Sequence, residues 1–438
     1  MTTPQQASGS GLIQALTIRS ATQQQSQIDF RQIASEISYY ESIDAPGFTL
    51  TATLLDGAGF RTAVPLTGGE EVFFSFSDSE QNSPRISGSA IVSKLVDKVR
   101  AKESLDSYSL FLYPKELMLH NYEIVDTSFK SRKIEDIAKT IVQNHITPIN
   151  GRTLTTVEPT LGQFTTTFPR ISPFTALNYL AGEAQSADTK SSSRYFFFDT
   201  NKGYVFASLQ YLMKQQIKRK FTLIEERIPG DSQYERNRIV SMEERVAFDL
   251  GEGVASGQLG TQILSLDPVA KRFRSTQYLY NRDYSSIDHI SQERRLTARV
   301  AQQFGTRFSR EAFIVTNSHQ STLPYVTERE SSIQQSYRRR QDFLGVETAA
   351  TADISSNITV ITVHGDSTLH AGDTIEIMVP ITGDRTIRDR AMDNLASGKY
   401  LVTAVAHRIT TGGLTYVTVL ECVKDAFIKR VENIVRDS

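Results

Sequence analysis

The 438-residue sequence has one cysteine, no tryptophan, no excess charge of either sign and no long apolar run. Each shortage removes a class of protein. A lone Cys422 cannot close an intrachain disulfide or build a thiolate zinc site. It sits in Val419-Leu420-Glu421-Cys422-Val423, where a small buried hydrophobe fits better than a nucleophile. Lysine plus arginine total 48 against 49 acids, a net charge of -1. No broad basic field is therefore present to coat nucleic acid by neutralising phosphates. No uncharged apolar stretch approaches the ~18 residues of a membrane span. The first thirty residues carry only Arg19 and Asp29 as charges and lack the basic start and apolar core of a secretory signal. The expectation is a soluble chain made in a reducing compartment, with no stable membrane insertion.

What is present suits folding. The chain is 39% apolar and 22% charged, near the globular norm, and its length suggests about three domains. Residues 1–27, rich in Gln, Ser and Thr, read as a flexible leader that orders on a partner. Strand alternation follows in Phe48–Leu55, Glu71–Phe76, Tyr108–Tyr113 and Leu117–Ile124, with glycine turns such as Asp56-Gly57-Ala58-Gly59. Short strands with such turns suit a small barrel or sandwich. The period then changes. Ile134, Ile137, Ala138, Ile141 and Val142 form one helical stripe. Ser172-Pro173 starts a second helix, whose apolar residues are Phe174, Leu177, Leu180, Ala181 and Ala184. Tyr195–Asp199 and Tyr204–Leu209 flank a hairpin turn. Farther on, Leu296, Val300 and Phe304 suggest a helix from about Asp288, and a polar helix is expected near Ser331. Strands return in Ile358–Val363, Thr374–Val379, Tyr400–Val405 and Tyr416–Leu420, with Gly412-Gly413 as a turn. Two β-rich ends thus enclose a mixed α/β middle.

Templates for chemistry fail one after another. None of the seven histidines, His120, His145, His289, His319, His364, His370 and His407, forms the two-histidine helical zinc pattern. His364 and His370 flank a turn and could meet, but packing or solvated roles are commoner. Asp288-His289 reads as a helix cap before a catalytic pair. Gly251, Gly253, Gly257 and Gly260 lack the ending of a phosphate loop and read as a flexible loop. Asp199–Gly203 opens like a calcium loop but has no spaced glutamate, and a hairpin turn explains it. There is no Gly-x-Ser-x-Gly elbow. Arg338-Arg339-Arg340 and Lys271-Arg272-Phe273-Arg274 are basic runs that read as solvated faces or subunit salt bridges, not a nucleic-acid platform. No catalytic, cofactor-binding or metal residue is assigned, and no cofactor is expected.

Several stretches in order resemble the central hub proteins of contractile phage tail baseplates. They are Ser172–Ala181, then Tyr195–Leu209, then His370–Pro380, Ser397–Ile409 and Tyr416–Glu421. The resemblance spans about Phe48 to Phe427 and rests on the order and spacing of these motifs. It implies a β-rich α+β fold: two small antiparallel β-barrel domains with α/β insert domains, assembling as a trimeric ring. On that basis the borders expected are 1–27 for the leader and 28–125 for the first barrel, with a strand near 204–212 completing it. An α/β insert would span 126–212, a mixed region 213–349, and a C-terminal barrel 350–438. The resemblance implies a non-enzymatic virion protein, assembled in the host cytoplasm, that adapts a sixfold tail tube to a threefold spike. Its implied partners are two further copies, the spike, the tube or tube-initiator protein and other baseplate proteins, with DNA only in transit. Related type VI secretion spikes fuse hub and spike, whereas no repetitive β-helix follows Phe427 here, so a separate spike is expected. The alternatives kept open are a cell-wall hydrolase and a glycan-binding tail protein.

Overall fold

The computed structural model describes residues 10–19, 27–78, 83–223, 236–268, 271–315, 344–383, 391–411 and 415–429. The expected polar helix near Ser331, Arg338–Arg340 and the Gly412-Gly413 turn lie outside the described residues.

Alternating apolar and polar positions fold the first module. Its strands are β1 (Gly11–Arg19), β2 (Gln27–Asp29), β3 (Ala34–Ser42), β4 (Thr49–Asp56), β5 (Glu71–Asp78), β6 (Ile86–Lys102) and β7 (Leu105–Tyr113). All pair antiparallel in the order β2-β1-β5-β6-β7-β4-β3. One face of each strand supplies the core, with Leu16, Ile37, Tyr39, Leu50, Phe74 and Leu110 among it. Much of the expected leader is therefore structured. Leu12, Ile13, Ala15, Leu16 and Ile18 give β1 the apolar content that the flanking Gln and Ser hide. A second expectation also changes. Leu117–Ile124 is not a strand but the helix Lys115–Leu119 followed by a turn. Pro114 has no N–H to extend the β7 ladder, and the Leu117 and Met118 amides bond back to its carbonyl.

In the middle of the chain, helices Ile134–Ile141 and Pro173–Glu183 bury the apolar stripes read from the sequence. The strands here are β8 (Ser128–Arg132), β9 (Leu154–Val157), β10 (Phe164–Thr167), β11 (Tyr195–Thr200) and β12 (Gly203–Ser208). The β11–β12 hairpin closes at Thr200↔Gly203 around Asn201-Lys202. Gly203, at φ +134°, lies where a Cβ would come within 2.5 Å of Thr155 Cγ2. β12 pairs with β11 and β9, so the strand near 204–212 does not complete the first barrel.

Among the described residues six further strands precede the C-terminal region: β13 (Ile217–Leu223), β14 (Arg238–Val246), β15 (Gly260–Asp267), β16 (Arg272–Leu279), β17 (Glu293–Arg294) and β18 (Arg310–Val315). The last described strands are β19 (Ile358–His364), β20 (Thr374–Met378), β21 (Gly398–Thr410), β22 (Thr415–Val423) and β23 (Ala426–Phe427). Strands β21-β20-β13-β14-β19-β22 form a closed six-strand ring, β22 returning to β21. The C-terminal barrel thus recruits two strands from the region 213–349, and its border at 350 does not hold. β13 runs parallel to both neighbours, since a strand arriving from outside need not enter through a hairpin.

The two barrels are joined by one hairpin. Over Gly398–Leu401, β21 pairs with β20, and over Ala404–Thr410 it pairs with β3 of the first module. The change of partner falls at a register shift between Val402 and Ala404. There the Thr403 carbonyl accepts from the Ile43 amide at 2.9 Å. A bulge bends a strand, and this one turns β21 out of one barrel into the other. Ser10 forms an isolated bridge to Thr415, which brings the start of β1 to the start of β22. Ile409 and Tyr416 lie in the first core, whereas Val402, Leu420 and Cys422 lie in the second. Burial pushes the Cys422 thiol upward, which keeps it protonated and inert, as its apolar setting predicted.

Candidate functional site at the module junction

Strand alternation carries one acid inward. In β3, Ile37, Tyr39 and Glu41 share the buried side, so Glu41 enters the space between the barrels and the insert with no exposure. Its Oε1 accepts from the Tyr39 hydroxyl at 2.8 Å and from the Asn201 amide at 2.7 Å. Oε2 accepts from the Ala371 amide at 3.3 Å and faces His370 Nδ1 at 3.3 Å. Donors thus arrive from β3, the insert hairpin tip and the β19–β20 loop. Burial alone would raise the Glu41 pKa, but the His370 imidazole and the Tyr39 hydroxyl hold it down at about 2. Beside it His407 Nδ1 accepts from the Tyr416 hydroxyl at 2.8 Å, and Nε2 donates to the Leu369 carbonyl at 3.2 Å. Burial brings His407 down to about 4, so it is neutral at pH 7 and this tautomer follows from its partners.

A second buried group ties the insert to the exit of the first barrel. Arg152 Nη1 donates to Asp199 Oδ2 at 2.8 Å, and the Arg152 Cζ lies over the Tyr204 ring at 5.2 Å. The Tyr204 hydroxyl donates to Glu116 at 2.9 Å. Asp199, which opened the calcium-like sequence, is therefore an arginine partner in a hairpin.

A third group forms around the histidine noted in the sequence. His289 Nδ1 lies 2.8 Å from Asp425 Oδ2, and Nε2 lies 2.9 Å from the Tyr284 carbonyl. Its ring stacks on Tyr284 at 3.7 Å with 6° between planes. Both ring nitrogens face acceptors. Burial opposes protonation, but the Asp425 carboxylate raises the His289 pKa above its ordinary value. With both ring nitrogens held by partners, neither is free to take a proton from a substrate. Asp288 caps no helix, because the expected helix spans only Ala298–Phe304, and its carboxylate pairs with Lys214 at 2.6 Å. Nor is Gly251–Gly260 a loop throughout. Asp249 caps the helix Leu250–Ser256, accepting from the Glu252 amide at 2.8 Å. His370 turns to Glu41, and among the described residues no group of three or more His, Cys, Asp or Glu could hold a metal. Sequence reading found His289 and His370 but missed Glu41, Arg152 and Asp425, whose partners lie far away in the chain.

Asp353 supplies a pH prediction. It is buried, accepts from the Gln258 amide, and is pushed up to about 7 by burial and then by the Asp425 charge. An aspartate raised from 3.8 in the folded state keeps its proton where the unfolded chain has lost it. Its contribution is complete below about pH 4 and falls away as pH rises toward 7. Asp353→Asn should remove that dependence. The stability difference between this variant and the parent should then grow from about pH 4 to pH 7, by on the order of 3–4 kcal/mol. Denaturant titration at several pH values checks it, and a constant difference would contradict it.

One surface is conspicuously apolar. In the three-stranded sheet β16-β15-β18, Phe273, Leu266 and Val315 form one cross-strand row, and Ser275, Leu264 and Phe313 the next. Phe273, Phe313 and Val315 are 63%, 61% and 63% exposed. The basic run at 271–274 thus lies at and around the start of β16, and its aromatic member belongs to this face. Contiguous apolar patches of this kind mark interaction sites.

No family model matches the chain, and no curated protein matches it. Solved structures that share this β-rich α+β fold include two tail proteins. The tail protein from Neisseria meningitidis MC58 is 11% identical with a TM-score of 0.54, covering 94% of this chain and 96% of that one. The 43 kDa tail protein of prophage MuSo2 from Shewanella oneidensis is 12% identical with a TM-score of 0.50, covering 94% and 98%. The likeness runs along nearly the full length of both chains. Among the described residues no helix is long and apolar enough to cross a membrane.

Proposed function

We propose that this chain is the baseplate hub of a contractile phage tail or a phage-derived injection machine. It acts as a trimeric ring that adapts a sixfold tail tube to a threefold spike and forms part of the DNA ejection channel. The observation that carries this reading is the shared β21–β22 hairpin, which locks two barrels of one chain in a fixed relation. Three copies then present six barrels, the arrangement a symmetry adaptor needs. The partners are the spike, the tube or tube initiator and other baseplate proteins. The protein resides in the virion baseplate after assembly in the host cytoplasm. It is a structural protein, and lysis belongs to a partner. A net charge of -1 suits a passage through which DNA slides, since a strongly basic bore would hold it.

In this reading the Phe273–Phe313–Val315 face is covered when the hub assembles. Phe273→Asp with Phe313→Asp should therefore abolish the trimer or its capture by the spike while leaving the melting profile of the chain intact. Exposed positions tolerate such changes within about 0.5 kcal/mol. Light scattering and spike pull-down on the double variant make the test. Unchanged assembly in both would remove this face from the reading.

A further inference from the structure

The corner after β22 holds the middle of the chain through one acid. Lys424 and Asp425 are consecutive and buried, and they bind different neighbours. The Lys424 amine donates to the Leu395 carbonyl and, at 3.3 Å, to the Ser397 carbonyl just ahead of β21. It also lies over the Tyr400 ring at 4.6 Å. Asp425 instead binds residues 284–290. Its Oδ1 accepts from the Ile290 amide at 3.0 Å, and its Oδ2 faces His289 Nδ1 at 2.8 Å. The Tyr284 hydroxyl donates to the Asp425 carbonyl at 3.3 Å, and β23 pairs with β17 just beyond.

His289 is the switchable member of this joint. Nδ1 faces a carboxylate oxygen and Nε2 a backbone carbonyl, and both of those groups are acceptors. Both nitrogens must therefore carry hydrogen, so the geometry calls for the charged imidazolium. A neutral ring has one N–H and leaves one oxygen against a bare nitrogen lone pair, at 2.8 or 2.9 Å. We infer that the His289–Asp425 contact is a pH-operated clasp, which holds residues 284–295 to the corner after β22 while the imidazole is charged and releases them when that charge is lost.

The surrounding groups set its direction. Burial opposes a charged His289, but the hydrogen bond and charge of Asp425 outweigh it and raise the pKa above the ordinary 6.5. Asp353, on the helix Leu344–Ser355, adds a second titration, since burial and then the Asp425 charge push it up to about 7. Rising pH thus removes a positive charge from the cluster and places a negative one beside Asp425. A pKa raised in the folded chain contributes stability at low pH that is lost as pH climbs through it, so the clasp tightens on acidification and loosens above about pH 7. The other charges at the joint are engaged elsewhere. Arg294 lies over the Tyr284 ring at 5.2 Å. Arg295 donates to Ser356 Oγ at 2.8 Å and to the Ala247 carbonyl at 2.7 Å, and Asp288 pairs with Lys214. Burial keeps the Tyr278, Tyr280 and Tyr284 hydroxyls protonated. Lys424 works in the opposite sense, because burial brings it down to about 7 and losing its charge eases its burial. Its hydrogen bonds go to the residues ahead of β21, not to 284–295.

Hydrogen exchange of the full chain, read by mass spectrometry at about pH 6 and about pH 9 and corrected for the intrinsic rate at each, makes the test. Protection over 284–295 and 424–427 should fall about tenfold or more between the two, with β4 to β7 unchanged. Asp353→Asn keeps an oxygen for the Gln258 amide and removes the second titration, so its fall should be about threefold smaller. Nitrogen NMR of the parent follows the His289 ring, whose deprotonation should coincide with the loss, and it decides the matter if the variant does not fold. Equal protection at both pH values, a uniform loss over all strands, an unaltered fall in Asp353→Asn, or a ring that titrates without loss of protection would overturn the clasp. The contacts lie within one chain, so failure here leaves the hub reading untouched.

Discussion

A fragment ending near residue 125, with β1 to β7 alone, is expected not to fold cooperatively. The open edge of β3 loses the ladder from Ser42↔Ala404 to Glu36↔Thr410. Its core loses Ile409 and Tyr416, both fully buried, and Tyr416 packs edge-on to Phe76 with ring centroids 6.1 Å apart. An aromatic removed from a core costs about 3–5 kcal/mol, and an aliphatic about 2–5 kcal/mol. Together these losses reach the whole stability of an ordinary domain, about 5–15 kcal/mol. Far-UV circular dichroism against temperature should show no cooperative transition for residues 10–125. Linking residues 396–429 to that fragment should restore one. A sharp melt from the fragment alone would show that the hairpin joins two independent domains and completes neither.

Glu41→Ala is the second change with a large expected effect. It strands the Tyr39 hydroxyl and the Asn201 and Ala371 amides, and removes the carboxylate facing His370. Each buried donor left without an acceptor costs about 1–3 kcal/mol. Glu41→Gln should cost less, because an amide oxygen still accepts. The pH dependence has a definite sign. A carboxyl held at about 2 in the folded chain, against 4.5 ordinarily, contributes stability above pH 4.5 and loses it as pH falls toward 2. The gap between Glu41→Gln and the parent should therefore narrow below about pH 4. Guanidinium titrations at pH 7 and pH 3 measure it, and a gap that widens on acidification would contradict the assignment.

Local pattern made some of this legible and distance hid the rest. Ile134 to Val142 and Phe174 to Ala184 announced their helices because an amphipathic stripe is written within one segment. The hairpin around Asn201-Lys202 announced itself through flanking aromatic runs. The pairing of β3 with β21 joins positions as far apart as Ser42 and Ala404, and no short-range period records it. Recruitment of β13 and β14 into the second barrel escaped for the same reason. Polar residues misled in the opposite direction. Glu41 looks like an ordinary surface acid in an alternating strand, and only its neighbours in space reveal its contacts. Asp249 turned a glycine-rich stretch into a capped helix, because one good cap outweighed the low helix propensity of Gly251 and Gly253. The exposed Phe273 read as part of a basic run, since β16 reveals its two faces only once β15 is beside it.

The measurement that bears most directly on the hub is the mass of the purified full chain by light scattering, alone and with the candidate spike, followed by negative-stain imaging. The expected result is three chains per particle with a central hole, formed either alone or once the spike is added. A particle that stays a single chain in both conditions would contradict the hub and return attention to hydrolase and glycan-binding assays.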